Sequence, residues 1–336
     1  MTRRAEHLDD SSRAQPSLAK PARRHRKTIR RMLAIGLSAI LVLLAGSTVY
    51  NYVMLRVEAG QLSPPGQMVD VGGHRLHVFS VGPRSGAPSL VFMAGSATID
   101  PVYNFMPLWS LLDGKFHVIV VEEAGYGYSD IYGTSRDAAS KLADLRQALS
   151  LAGETGPYVL VPHSMSGIEA LYWAQTYPDE VKGIIGLDMA VPESYDTYNF
   201  SAFGFQAEIR LAQAASWLGL LRIPGVYPLY TSGLSAGEVE QQKLLLNRNA
   251  FNVDYINEGR SIKASAALVK TEPVPNVPYL MFTSNGKQTG QYWITDEDQF
   301  AQSVNAELIH LDCGHYVFQC QPSQIAAEIT GYMARV

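Results

Sequence analysis

From Gln67 onward, short continuous apolar runs alternate with longer amphipathic stretches. Residues 89–93 (SLVFM), 117–121 (HVIVV), 158–162 (YVLVP), 181–189 (VKGIIGLDM), 277–283 (VPYLMFT) and 306–312 (AELIHLD) read as strands. Their apolar residues are consecutive rather than alternating, as expected of strands covered on both faces. Between them, residues 101–113, 135–152 and 166–177, a stretch around Asp296–Val304 and a last stretch from Pro322 carry helical patterning. Leu142, Leu145 and Leu149 mark the apolar stripe of the second. MVDV and HRLHVFSV, separated by Gly72-Gly73, read as an opening hairpin. Strand and helix in alternation imply an α/β fold, a mostly parallel sheet with helices on both faces. Residues 192–275 break the rhythm. They contain helical stretches and no regular strand, and they carry the aromatics Tyr195, Tyr198, Phe200, Phe203, Phe205 and Trp217. We read them as a helical insertion above the sheet, its aromatics either its own core or the lining of an apolar pocket.

A second pattern precedes this one. Met32–Leu55 is free of charge; at about 1.5 Å per residue such a helix spans a hydrocarbon core of about 30 Å. Ten of the 27 Lys and Arg residues lie in residues 1–31, and only Arg56 closely follows the apolar run. The positive-inside rule then puts the N-terminus in the cytoplasm and the body outside, as a single-pass protein of the cell membrane, or as a secreted one if the segment is a cleaved signal. The chain divides into a basic tail (1–31), a transmembrane helix or signal anchor (32–55), a linker (56–66), a core (67–191 and 276–336) and a helical cap (192–275). Beyond the tail the protein is acidic, which argues against a nucleic-acid partner. Cys313 and Cys320 are the two cysteines, and outside the cytoplasm a disulfide between them is expected. No histidine pair has metal-ligand spacing, and the third glycine of a dinucleotide fingerprint is missing after Gly125-x-Gly127. Neither metal nor cofactor is expected.

The chemistry concentrates at two boundaries. Ser164 stands between an apolar strand and a helix that starts almost at once, a turn that lifts its side chain out at the carboxyl edge of a sheet, beside a helix N-terminus. His315 follows the last strand in LDCGHYVF, and imidazole is the side chain suited to take a hydroxyl proton near neutral pH. His74, His77, His117 and His310 lie in or beside strands, and His163 beside Ser164; all five are read as structural.

The segment Pro162-His163-Ser164-Met165-Ser166-Gly167 resembles the nucleophile elbow, G-x-S-x-G, of the α/β-hydrolase family, with Pro162 and Ser166 in place of the outer glycines. The resemblance covers roughly residues 67–336 and is weak across the insertion. It implies an α/β-hydrolase fold and a serine hydrolase with Ser164 as nucleophile and His315 as base. The carboxylate usual after VPYLMFT is missing here, so the acid falls to Asp188, at the end of the strand after the elbow helix, with Glu193 in reserve. The backbone N–H groups of Met165 and Ser96 are the implied oxyanion donors. The reaction expected is carboxylesterase-like cleavage of a small to medium apolar acyl substrate. Amide, lactone or carbon–carbon hydrolysis, or a non-catalytic extracytoplasmic binding module, are the alternatives. Serine as nucleophile disfavours the dehalogenase and epoxide-hydrolase chemistries, which use aspartate in this family.

Overall fold

A computed structural model describes residues 22–197 and 202–336, so the tail up to residue 21, with Tyr198 and Phe200, lies outside the described residues. The chain forms two units, Met1–Val49 and Tyr50–Val336. The described part of the first belongs to α1 (Ala22–Ala59). Its apolar side chains are bare, Leu33 at 67% exposure and Leu43 at 72%. Arg26–Ala59 is long and apolar enough to cross a membrane, which covers an apolar stripe that water would not tolerate. Two expected boundaries shift. The basic tail turns helical at Ala22, and the helix runs through Ala59, into the expected linker. The extension has a physical cause within the second unit. Glu58 is paired with Arg222, with one contact at 2.9 Å, and Arg222 Nε donates to Asn51 Oδ1 at 2.7 Å. Asn51 Nδ2 donates in turn to the Ser216 carbonyl at 3.0 Å.

In the second unit the elements run β1 (Gln67–Asp70), β2 (Arg75–Val81), β3 (Ser89–Met93), α2 (Pro101–Asn104), α3 (Met106–Trp109), β4 (Val118–Glu122), α4 (Ala138–Leu151), β5 (Tyr158–Pro162), α5 (Ser166–Thr176) and β6 (Val181–Leu187). The insertion follows as α6 (Ser194–Thr197), α7 (Ala202–Trp217), a 3-10 turn at Leu220–Arg222, α8 (Ala236–Asn249) and α9 (Val253–Val269). Then come β7 (Tyr279–Thr283), α10 (Gln291–Ser303), β8 (Glu307–His310), α11 (Val317–Cys320) and α12 (Pro322–Met333). Among the described residues the strands form one sheet in the order β1-β2-β4-β3-β5-β6-β7-β8. The β1–β2 and β2–β4 pairs are antiparallel and the others parallel. Alternation along β3 shows why its run is continuously apolar. Leu90 and Phe92 join a core with Phe105, Leu108, Phe318 and Ile325, while Val91 and Met93 join the opposite one with Leu145, Leu149 and Trp173.

The helix expected over 101–113 is broken at Phe105. Pro107 has no N–H to bond one turn back, and the break sends the Phe105 ring into the core, fully buried. The helix over 135–152 starts at Ala138, where the Asp137 carboxylate caps it by accepting from Ser140 N at 2.9 Å. The helix expected around Asp296 starts earlier, at Gln291.

A buried charge network fastens the insertion to the sheet. Lys141 of α4 meets Glu123, which follows β4, at 2.9 Å. It also pairs with Glu169 of α5, and with Glu258 of α9 at 2.5 Å. Arg136 pairs with Glu123 at 2.6 Å. Burial alone would lower the Lys141 ammonium, but the three carboxyls outweigh it and hold it up. Burial and the Glu123 charge push Glu169 well above the carboxylate range. Against the cost of burial, Lys141 and Arg136 hold Glu123 down, at about 2. Two cations thus face three acids out of water. Lys141→Met removes one cation and is expected to cost about 3–5 kcal/mol, read as a lowered thermal midpoint of the full chain in detergent. An unchanged midpoint would show that the ammonium is not what compensates these acids.

Candidate active site

Ser164 follows β5 and precedes α5, and it is held at φ +55°, a left-handed backbone that a non-glycine residue adopts only when its surroundings enforce it. The surroundings here are tight. A Cβ on Gly95 would stand 2.7 Å from Ser164 Cβ, and one on Gly167 would stand 2.2 Å from the Ala190 carbonyl oxygen. Ser166, where the family pattern has glycine, uses its hydroxyl. It accepts from His163 N at 3.0 Å and lies 2.8 Å from the Met93 carbonyl, knitting the elbow to β3. Ala190 N donates to the Ser164 carbonyl at 2.7 Å. Pro162 ends β5 opposite Met93.

His315 arrives from the loop after β8. A disulfide between Cys313 and Cys320 closes the segment that contains it, and Gln288 Oε1 accepts from His315 N at 2.6 Å. Ser164 Oγ lies 2.8 Å from His315 Nε2, and His315 Nδ1 lies 2.5 Å from Asp188 Oδ2. Asp188, at φ +48°, is fully buried just beyond β6. Its other oxygen accepts from Ser284 N at 2.7 Å. The structure therefore brings Ser164, His315 and Asp188 into one chain of hydrogen bonds. Glu193 is not in it. Its carboxylate is half exposed and lies 3.9 Å from Lys270 Nζ.

Behind Asp188 sits a group that sequence reasoning missed. Glu297 of α10 is fully buried, and Thr283 Oγ1 donates to its Oε2 at 2.5 Å. Burial and the Asp188 charge push this carboxyl well above the usual range. Its protonated form is thereby favoured beside the Asp188 carboxylate, and its Oε1 has no hydrogen-bond partner among the described residues. The sequence DEDQF reads as the solvated face of a helix, and nothing in it marks the middle acid as buried.

The candidate oxyanion donors belong to the two segments next to Ser164. Met165 follows Ser164, and Ser96 follows Gly95 in the loop packed against Ser164. Among the described residues neither N–H has an acceptor. A further tie was not legible in the sequence. Ser96 Oγ donates to Glu258 Oε2 at 2.8 Å, Tyr126 OH donates to the same oxygen at 2.6 Å, and Ala97 N donates to Tyr126 OH at 3.1 Å. The insertion's helix α9 thus holds the oxyanion loop by its side chains.

The other histidines are engaged elsewhere. His77 bonds Glu122 at 2.9 Å, His117 bonds Glu154 at 2.8 Å, and His74 and His310 pair with Asp144 and Asp298. His163 lies under the site between Phe105, Phe318 and Tyr316. Burial, with His315 beside it, pushes it well below the ordinary imidazole range, so it is neutral. Of the insertion's aromatics, Tyr195 packs on the core and Trp217 is 61% exposed. The side chains of Phe203 and Phe205 lie outside the described residues.

Comparison with known proteins bears on the fold. Residues 90–224 match the family described as alpha/beta hydrolase fold. The chain is 33% identical over 321 residues to the uncharacterized protein YbdG of Bacillus subtilis, covering 92% of this chain and 98% of that one. It is 31% identical over 123 residues to a 2-(acetamidomethylene)succinate hydrolase of Mesorhizobium japonicum, covering 36% of this chain and 41% of that one. The crystal structure of an enol-lactonase from Burkholderia xenovorans superposes with a TM-score of 0.59 at 17% identity, over 80% of this chain and 100% of that one. With the eight-stranded sheet and the elbow beside it, these likenesses establish that the chain belongs to the α/β-hydrolase fold family.

Proposed function

We propose that the protein is a membrane-tethered serine hydrolase that cleaves an ester or related acyl bond through an acyl-enzyme. One observation carries this reading, the unbroken path from Ser164 Oγ through His315 to Asp188, at 2.8 and 2.5 Å. Serine oxygen attacks the carbonyl carbon while His315 Nε2 takes its proton. The carbonyl π electrons move to oxygen, which the N–H groups of Met165 and Ser96 receive. Collapse expels the alcohol, which takes the proton from His315. Water then repeats the cycle on the acyl-enzyme and restores Ser164. Asp188 holds His315 in the tautomer with Nδ1–H and balances the imidazolium as it forms. A protonated Glu297 would donate to Asp188 and so would not compete for the imidazole proton.

The ester class draws further support from the name of one structural neighbour, an enol-lactonase, since a lactone is a cyclic ester. The apolar helix after the basic segment supports an anchor with the body outside the cytoplasm, and the Cys313–Cys320 bridge suits that compartment.

Three measurements test the proposal. A membrane-impermeant fluorophosphonate is expected to label intact cells carrying the protein, and Ser164→Ala to abolish the label. Labelling only after lysis would reverse the topology, and persistent labelling of the variant would move the nucleophile. Asp188→Asn is expected to lower kcat by roughly four orders of magnitude with the thermal midpoint retained; near-normal turnover would remove Asp188 from the relay. Glu297→Gln keeps a donor toward Asp188 and an acceptor for Thr283, so kcat and its pH profile are expected within about twofold of wild type, whereas Glu297→Ala lowers kcat at least tenfold. A glutamine variant as impaired as the alanine one would mean that Glu297 is not held as a neutral acid.

A further inference from the structure

Beside the triad, a pocket of about 440 Å³ opens between the oxyanion loop and the loop that carries His315. Its lining includes the sequence neighbours of Ser96 and His315. Ala97, next to Ser96, lines one lip, and Gln288, the acceptor for His315 N, lines the other. Tyr316 also lines it, with its ring centre 5.6 Å from that of His315. An acyl compound held with its carbonyl at Ser164 can therefore extend into this space.

The pocket is built for something other than a hydrocarbon chain. Asp100 and Gln242 line it at 2% and 1% exposure, and Asn104 stands beside them. Asp100 Oδ2, Gln242 Oε1 and Asn104 Oδ1 have no hydrogen-bond partner in the protein. The Gln242 amide is oriented by Tyr230: its Nε2 donates to the Tyr230 carbonyl at 3.2 Å, which leaves Oε1 as the open atom. Buried acceptors without donors are costly, and natural proteins leave few of them. The residues around the pocket include no Lys, Arg or His. The charge that bears on Asp100 is another acid, Glu122, which with burial pushes Asp100 well above the carboxylate range. Tyr227, Tyr230 and Tyr316 add aromatic walls, whose ring faces attract cations.

Three open acceptors, a carboxyl without a cation and tyrosine faces are complementary to one kind of group. We propose that this pocket is a recognition subsite for a primary ammonium group, so that the preferred substrate is an acyl compound carrying a cationic amine. The assignment rests on Ser164 being the nucleophile for its link to turnover, but not for its link to binding. An ammonium supplies three N–H donors and the positive charge that allows Asp100 to ionise. A hydroxyl supplies one donor and no charge, an alkyl chain neither, and a carboxylate meets Asp100 and Glu122 with the same sign.

The test uses the full-length protein in detergent with methyl 6-aminohexanoate, methyl 6-hydroxyhexanoate and methyl heptanoate, together with their shorter and longer homologues. At the best chain length the amino ester is expected to show kcat/KM at least tenfold above the alkyl ester, mainly through KM, and Asp100→Asn to close that gap. Equal kcat/KM for amino and alkyl esters at every length, with turnover present, would overturn the subsite and leave the hydrolase reading intact. Equal values for amino and hydroxy esters would overturn the cationic assignment. If no ester is turned over and Ser164 does not label, the hydrolase reading fails. Calorimetry with hexylammonium chloride against hexanol then decides the pocket alone: binding of the ammonium that is lost in Asp100→Asn supports it, and no difference between the two ligands overturns it.

Discussion

Asp188 carries the ionised end of the proposed relay in a place water does not reach, and the arrangement of the site follows from keeping it there. A buried carboxylate is stable only when donors replace its hydration. Two are present: Ser284 N from the end of β7 and His315 Nδ1 from the loop after β8. Each comes from a different element, so the position of the carboxylate registers β6, β7 and β8 against one another. An uncharged residue at 188 would relax that demand and leave the imidazole free to turn. The 2.5 Å contact to His315 is thus the point at which the packing of the sheet becomes orientation of a base.

Two of the five described non-glycine residues at positive φ belong to the same constellation. Ser164 and Asp188 both lie at positive φ, and both are fixed from outside their own turns. Ser164 is held by the Ala190 N–H and by the close approach of Gly95 and Gly167, and Asp188 N is held by the Phe282 carbonyl at 2.7 Å. Ala190 lies two residues beyond Asp188, so the turn after β6 secures the elbow that exposes Ser164, the proposed nucleophile, as well as Asp188, the proposed acid. A substitution that loosens this turn would disturb both.

The sequence exposed the parts of the site that depend on local order. Ser164, Asp188 and His315 each stand where an apolar run gives way to a turn, and the carboxyl ends of parallel strands are brought together by the topology itself. The break at Phe105 was also open to view in Pro107, which the apolar periodicity of 101–113 masked. What could not be read depends on pairings across long separations. Glu297 reads as one acid among three in a polar helix, and only tertiary packing turns it inward against Asp188. Glu258 lies 162 residues from Ser96 in sequence, with no periodicity to link them. Asp100 reads as a residue ahead of a helix start, yet its side chain caps nothing there and lines the pocket instead.

The insertion joins these features into one body. Its helix α9 reaches the oxyanion loop through Glu258 and the sheet helices through Lys141, while α8 supplies Gln242 to the pocket. Its 3-10 turn grips Asn51 and Glu58, the last turns of α1, through Arg222. Buried ion pairs of this kind contribute less to net stability than to fixing one arrangement over its neighbours. The polypeptide between β6 and β7 thus does three jobs that the sheet cannot do for itself: it holds the loop of the proposed oxyanion donor Ser96, it lines a polar pocket, and it is tied to the last turns of α1. Because Glu258 serves both Lys141 and Ser96, the interaction that holds the insertion down also sets the oxyanion loop, and a displacement of α9 would be felt at the site before it was felt in the core.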